Sequence, residues 1–179
     1  MKNQRMSMTI EGPLVGQSSV CEPILRALGE WFGIEEALVD YVKDTDVLPT
    51  FVAATNDGPA GFLTIKRHFP KAAEIHVMGI LPGLHRQGIG RALLDRAEAW
   101  LCSDGVEYLQ VKTLSAARPN EAYGRTRAFY TAMGFRPLEE FKTLWSEANP
   151  CLLLVKKLEV GRPRPRPGSA PVRGASGRR

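Results

Sequence analysis

The sequence predicts a mixed α/β fold in which helices pack on a sheet, and three observations carry that prediction. Runs with apolar residues at every second position alternate along the chain with runs that repeat every three or four residues. Clusters of glycine, proline and asparagine separate them. Their order is one strand, two helices, three strands, then helix, strand, helix, strand, which combines hairpin-joined neighbours with strands that a helix must connect, as a mixed sheet requires. No internal repeat is visible, and 179 residues give room for one domain with a sizeable core.

Each element has its own local warrant. "MTIEGPL" reads as a first strand, while "SVCEPILRALGEWFG" and "IEEALVDYVKDT" read as helices, the first broken near Gly29 to Gly33 by two glycines around Trp31 and Phe32. Asn56-Asp57-Gly58-Pro59 joins the β-rich runs "TFVAAT" and "AGFLTIKRHF" as a hairpin. In the next strand, Ala73 to Ile80, alternation sets Ile75, Val77 and Gly79 on one face and Glu74, His76 and Met78 on the other. Pro82 and Gly83 end it. Ile89, Leu93, Leu94, Ala97, Trp100 and Leu101 then recur with helical spacing until Gly105. "VEYLQVKTL" is a strand, "NEAYGRTRAFYTAM" a helix and "CLLLVKKL" the last strand.

Composition excludes several classes. With 44% hydrophobic and 24% charged residues the chain is typical of soluble globular proteins, and no run approaches the ~18 apolar residues of a membrane span. The basic start lacks an apolar h-region, so no signal peptide is expected and the cytoplasm is the expected compartment. Cys21, Cys102 and Cys151 have no metal-ligand spacing; free thiols and no metal are expected. The net charge of +5 is local. Residues 160–179 hold six of the 24 basic residues and no acid, which leaves 18 basic against 19 acidic groups in residues 1–159. The expected organisation is a domain over 1–159 and a disordered Pro/Arg-rich tail over 160–179, with no specific nucleic-acid face on the domain.

The most informative stretch is "ILPGLHRQGIGRALL", Ile80 to Leu94, where a strand passes through a basic, glycine-rich loop into a helix. A phosphate-binding P-loop needs lysine and a hydroxyl residue where Ile89 and Gly90 stand. A dinucleotide fingerprint needs a third glycine where Leu93 stands, and no acidic residue ends the following strand near Lys112. The stretch His85-Arg86-Gln87-Gly88-Ile89-Gly90 instead resembles the acyl-coenzyme A loop of the GNAT superfamily of N-acetyltransferases, [QR]-x-x-G-x-[GA] between a strand and a helix, with His85 departing from the usual Gln or Arg. Downstream, "AFYTAMGFRPL", residues 128–138, is similar to the later GNAT signature, a helix ending F-Y-x-x-x-G-F before a strand.

That resemblance, from about Thr50 to Leu158, implies a central mixed twisted sheet of about six or seven strands flanked by helices on both faces. It implies acetyl-CoA as co-substrate and a small-molecule or amino-acid-like primary amine as acceptor, with no membrane partner and room for a homodimer. In its terms Arg86, Gln87, Gly88, Ile89, Gly90 and Arg91 hold the diphosphate, with an acidic side chain at Gly90 expected to face it. The strand splays from its neighbour at Gly79, and Met78, Gly79 and Ile80 meet the pantetheine arm and the thioester carbonyl. Tyr130 serves the leaving thiolate, and a carboxylate or imidazole, Glu74 ahead of His76, serves the amine. Trp31, Phe32 and Trp145 suit a closed small-molecule pocket. A protein or peptide acetyltransferase and a non-catalytic CoA-binding module are the alternative readings, and transfer through Cys151 is the alternative route.

Overall fold

Two hydrophobic clusters, one on each face of a single sheet, organise the computed structural model, which describes residues 7–159. The strands are β1 (Met8–Leu14), β2 (Thr50–Thr55), β3 (Gly58–Phe69), β4 (Ala72–Ile80), β5 (Tyr108–Leu114), β6 (Arg136–Ser146) and β7 (Asn149–Lys157). They lie in the order β1-β2-β3-β4-β5-β7-β6 and are antiparallel except for β4 and β5. Helices α1 (Ser18–Arg26) and α2 (Glu35–Val47) cover one face through Cys21, Ile24, Leu25 and Leu38 against Phe62 and Val77. Helix α3 (Ile89–Ser103) and the end of α4 (Glu121–Ala132) cover the other, where Leu93, Leu94, Leu101 and Tyr130 meet Leu63, Ile65, Leu109 and Val111. The mixed sheet with helices on both faces is the fold that the sequence predicts. The expected tail, residues 160–179, lies outside the described residues.

Strand β6 is absent from the element order read from the sequence. It sits at the sheet edge with nearly every residue exposed, so neither face is tied to a core that would impose alternation, and Pro137 weakens the strand signal further.

A second difference lies in β4. Val77 pairs with Thr64 and Ile75 with Ile65, so one strand residue, His76, is extra and forms a β-bulge. Strict alternation would put Ile75 and Val77 on one face; instead Ile75 joins the α3 cluster and Val77 the α1/α2 cluster. Met78 and Ile80 consequently pack toward α3, while Gly79 is covered by Leu28, Ile24 and Phe62. The bulge also bends the strand. Pairing between β4 and β5 runs from Ala72/Tyr108 only to Ile75/Val111, after which both strands continue without each other. The splay therefore opens next to the bulge and not at Gly79.

Candidate active site

Where β4 and β5 part, the gap widens into a cleft of about 800 Å³, within the usual size of a small-ligand site. Its walls are β4 from Ile75 to Ile80, the loop into α3, Val111 to Thr113 of β5, the inner side of α4, and Trp31, Phe32 and Trp145. All three aromatic residues that suggested a pocket reach it. The Trp31 indole is fixed by donating to Thr126 Oγ1 at 3.0 Å, and its carbonyl accepts from the Tyr123 hydroxyl at 2.8 Å. The long connection "TLSAARPNEAY" contributes little beyond Thr113, since Ser115 bonds Glu140 and Arg118 bonds Asn149 at the β6–β7 hairpin; of its later residues only Tyr123 lines the cleft.

The exposed edge of β4 supplies backbone groups. Leu81 N–H donates to Ala60 of β3, and alternation in an antiparallel pair then turns the N–H and C=O of Met78 and Ile80 the other way, toward the gap. His85 Nε2 donates to Ile80 O at 2.7 Å, which assigns its proton to that nitrogen because a carbonyl only accepts. The departure at His85 thus has a structural consequence: it takes up one acceptor of the edge and leaves the Ile80 N–H.

The glycine-rich loop ends at the first turn of α3. Gly88 is the N-cap, left-handed at φ 86°, and offers no side chain to cap the helix. The N–H groups of Ile89, Gly90 and Arg91 therefore stay available at the positive end of the dipole, the arrangement that binds anions. Arg86, itself at φ 63°, Gln87 and Arg91 are exposed beside it. Ile89 is buried in the core, so only its backbone can serve a ligand. Gly90 differs from expectation: a Cβ there would stand 3.1 Å from Ile80 Cδ1 and 3.2 Å from Phe129 Cζ, pointing into the core rather than at a diphosphate.

Tyr130 is 4% exposed, packed edge-on against Phe129 and Phe135, and lines the cleft. Burial raises its pKa far above the phenol range, so the hydroxyl remains a donor at working pH.

A smaller polar recess of about 200 Å³ adjoins the cleft and shares Tyr41, His76, Lys112 and Trp145 with it. Glu74 lies at its base with every strong partner in place: Lys112 Nζ at 2.8 Å, His68 Nε2 at 2.5 Å and Gln110 Nε2 at 3.2 Å. Burial pushes its carboxyl up, but Lys112, His68 and Gln110 more than reverse this and hold it below the ordinary 4.5. Its charge contributes stability that is complete above 4.5 and is lost as pH falls through the lowered folded value. Glu74→Gln is thus expected to lower the melting temperature at pH 7 and to flatten its fall between neutral and acid pH; parallel melting curves for the two proteins would contradict this.

His76 is placed differently. Its Nε2 lies 2.6 Å from Asp44 Oδ2 of α2, and its ring meets Tyr41 edge-on at 5.4 Å. A neutral imidazole that donates Nε2–H to a carboxylate keeps Nδ1 as an acceptor, the state a general base needs. Sequence reading missed Asp44, Tyr41, His68 and Lys112. Asp44 and Tyr41 carry no signal, because only packing of α2 on the sheet brings them to β4; Lys112, one residue past the last β4–β5 pair, was readable as a strand residue but not as the partner of Glu74.

Cys151 is fully buried and lines neither the cleft nor the recess, and burial pushes its thiol up to about 11, away from the thiolate that an acyl-cysteine route uses. Cys21 and Cys151 are buried free thiols, and Cys102 is half-buried. No cluster of metal-ligating side chains occurs among the described residues, and no helix there is long and apolar enough to cross a membrane.

A family model described as an acetyltransferase (GNAT) domain matches residues 47–137, just over half of the chain. An N-acetyltransferase of Chlorobaculum tepidum, itself named as uncharacterized, is 27% identical over 119 residues, which is 65% of this chain and 66% of that relative's length. Among solved structures, a GNAT-family protein of Desulfovibrio desulfuricans has a TM-score of 0.75 at 16% identity over 86% of this chain and 100% of its own. The Escherichia coli ribosomal-protein-S18-alanine N-acetyltransferase follows at 0.69 and 15%, over 88% and 98%. A GNAT family acetyltransferase of Elizabethkingia anophelis with acetyl-CoA bound gives 0.64 and 18%, over 84% and 98%. The solved structures share the fold, the family model spans the splayed strand, the loop and the Tyr130 helix, and on that match the chain belongs to the GNAT family of acetyltransferases.

Proposed function

We propose that the chain transfers an acetyl group from acetyl-CoA to the primary amine of a small-molecule or amino-acid-like acceptor by direct attack. The carrying observation is continuity: the uncapped start of α3, the free edge of β4 at Met78 and Ile80, and the Tyr130 side chain all face one cleft. The donor's diphosphate fits the N–H groups of Ile89, Gly90 and Arg91 with Arg86 and Gln87 beside them. The Elizabethkingia neighbour, solved with acetyl-CoA, supports that co-substrate. The Ile80 N–H polarises the thioester carbonyl, and the Tyr130 hydroxyl donates to the departing sulfur. The acceptor approaches from the polar recess.

For the base, the geometry supports His76 over Glu74. Both border the recess, but Glu74 is saturated by three donors and held ionised by Lys112, whereas His76 is oriented through Nε2 by Asp44 and has no other hydrogen-bond partner on its ring among the described residues. The recess, lined by Tyr41 and Trp145, holds only about 200 Å³, a volume that suits a small acceptor. Release of free CoA measured over a panel of amines, amino acids and peptides tests the reading. Small amines are expected to turn over with intersecting initial-rate lines, and Cys151→Ala to remain active. Preference for peptides, or parallel lines with an acetylated Cys151, would overturn it.

A further inference from the structure

Thr113 is the exception to an otherwise well-satisfied interior. Its hydroxyl is buried, the residue is 2% exposed, and Oγ1 has no hydrogen-bond partner, the sole buried side-chain polar atom so left among the described residues. A desolvated hydroxyl without a partner destabilises a fold, so its presence calls for a reason. The surroundings supply one. Thr113 lies on β5 just beyond Val111, where pairing with β4 has ended, and it lines the cleft. Its backbone stays in register with Leu152 of β7, which fixes where it stands. Val111 packs in the same cluster as Tyr130, and alternation along β5 puts Thr113 on that same side of the sheet. Two hydroxyl-bearing residues, Thr113 and Tyr130, thus line one cleft, with the Thr113 oxygen buried behind its surface and no hydrogen bond joining the two.

We infer that Thr113 is a second donor to the departing thiol group of the acyl thioester, acting beside Tyr130. The inference rests on the acetyl-transfer reading above. As the C–S bond breaks, its electron pair and negative charge collect on sulfur, and a hydroxyl already stripped of water meets that charge without reorganisation. The interaction is stronger in the transition state than in the bound thioester, so its loss is read in kcat rather than in donor affinity. Free of ligand, the same hydroxyl only destabilises the protein.

Stability and turnover should therefore move in opposite directions. Thr113→Val keeps the shape and removes the hydroxyl. It is expected to raise the melting temperature of the ligand-free protein by about 2–4 °C, to lower kcat by roughly tenfold, and to leave the thermal shift caused by acetyl-CoA unchanged. Thr113→Ser, which retains the hydroxyl, is expected to recover most of kcat. A Thr113→Val protein with wild-type kcat, or one that melts lower than wild type, overturns the role while leaving acetyl transfer intact. A wild-type protein that acetyl-CoA does not stabilise and that releases no CoA with any amine overturns the transfer reading and this inference together.

Discussion

Tyr130→Phe is expected to lower kcat by roughly ten- to a thousandfold while the melting temperature and the acetyl-CoA-induced shift stay close to wild type. The ring is part of the core, in contact with Phe129 and Phe135, and phenylalanine preserves that packing. The hydroxyl is held protonated by burial, and the residue lines the cleft. In the same assay His76→Gln is expected to lower kcat/KM most at pH values below the acceptor's own pKa, with alkaline buffer recovering part of the loss. An unprotonated amine no longer needs a base. Glu74→Gln, in contrast, should show its main effect on melting. Full activity in Tyr130→Phe would return that residue to a purely structural role, and a pH-dependent rescue in Glu74→Gln but not in His76→Gln would restore the carboxylate as base.

Gly90→Asp is expected to destabilise the protein by about 3–5 kcal/mol, a large part of the roughly 5–15 kcal/mol that holds a domain folded. The new Cβ would stand 3.1–3.3 Å from Ile80 and the Phe129 ring, and its carboxylate would follow it into an apolar site. Acetyl-CoA binding is then weakened through the loss of stability rather than through a charge placed at the diphosphate. Gly88→Ala separates loop from core: a Cβ there meets open space, and the cost is only that of the left-handed backbone, about 1–2 kcal/mol. Denaturant melts of the two variants without ligand check the contrast. Equal stability of Gly90→Asp and wild type would show that the α3 terminus can move away from Phe129 freely.

Most of the fold was legible because its elements carry one-sided patterns. Helix α3 shows Leu93, Leu94, Ala97 and Leu101 on one stripe, and all four are buried. The loop from His85 to Gly90 was legible for a different reason: a turn that enters a helix through a left-handed residue favours glycine there, as at Gly88, which leaves a local mark in sequence. Strand β6 left no such mark, since an edge exposed on both faces imposes no alternation. The β4 bulge was invisible too, because a bulge is a relation between two strands, here Thr64-Ile65 against Ile75-His76-Val77, and neither strand alone announces it.

What the sequence by itself determined is the α/β class, the glycine-rich turn into α3 and the Tyr130 helix, all set by interactions within a few residues of one another. Tertiary structure alone decided that His76 lines the cleft and Glu74 does not. The bulge at His76 turns that imidazole toward Asp44, a residue 32 positions away in the chain, while Lys112 from a parallel strand claims Glu74. The reactivity of a carboxylate or an imidazole is set by the charges and donors within a few ångströms, and those neighbours are chosen by packing rather than by adjacency in sequence.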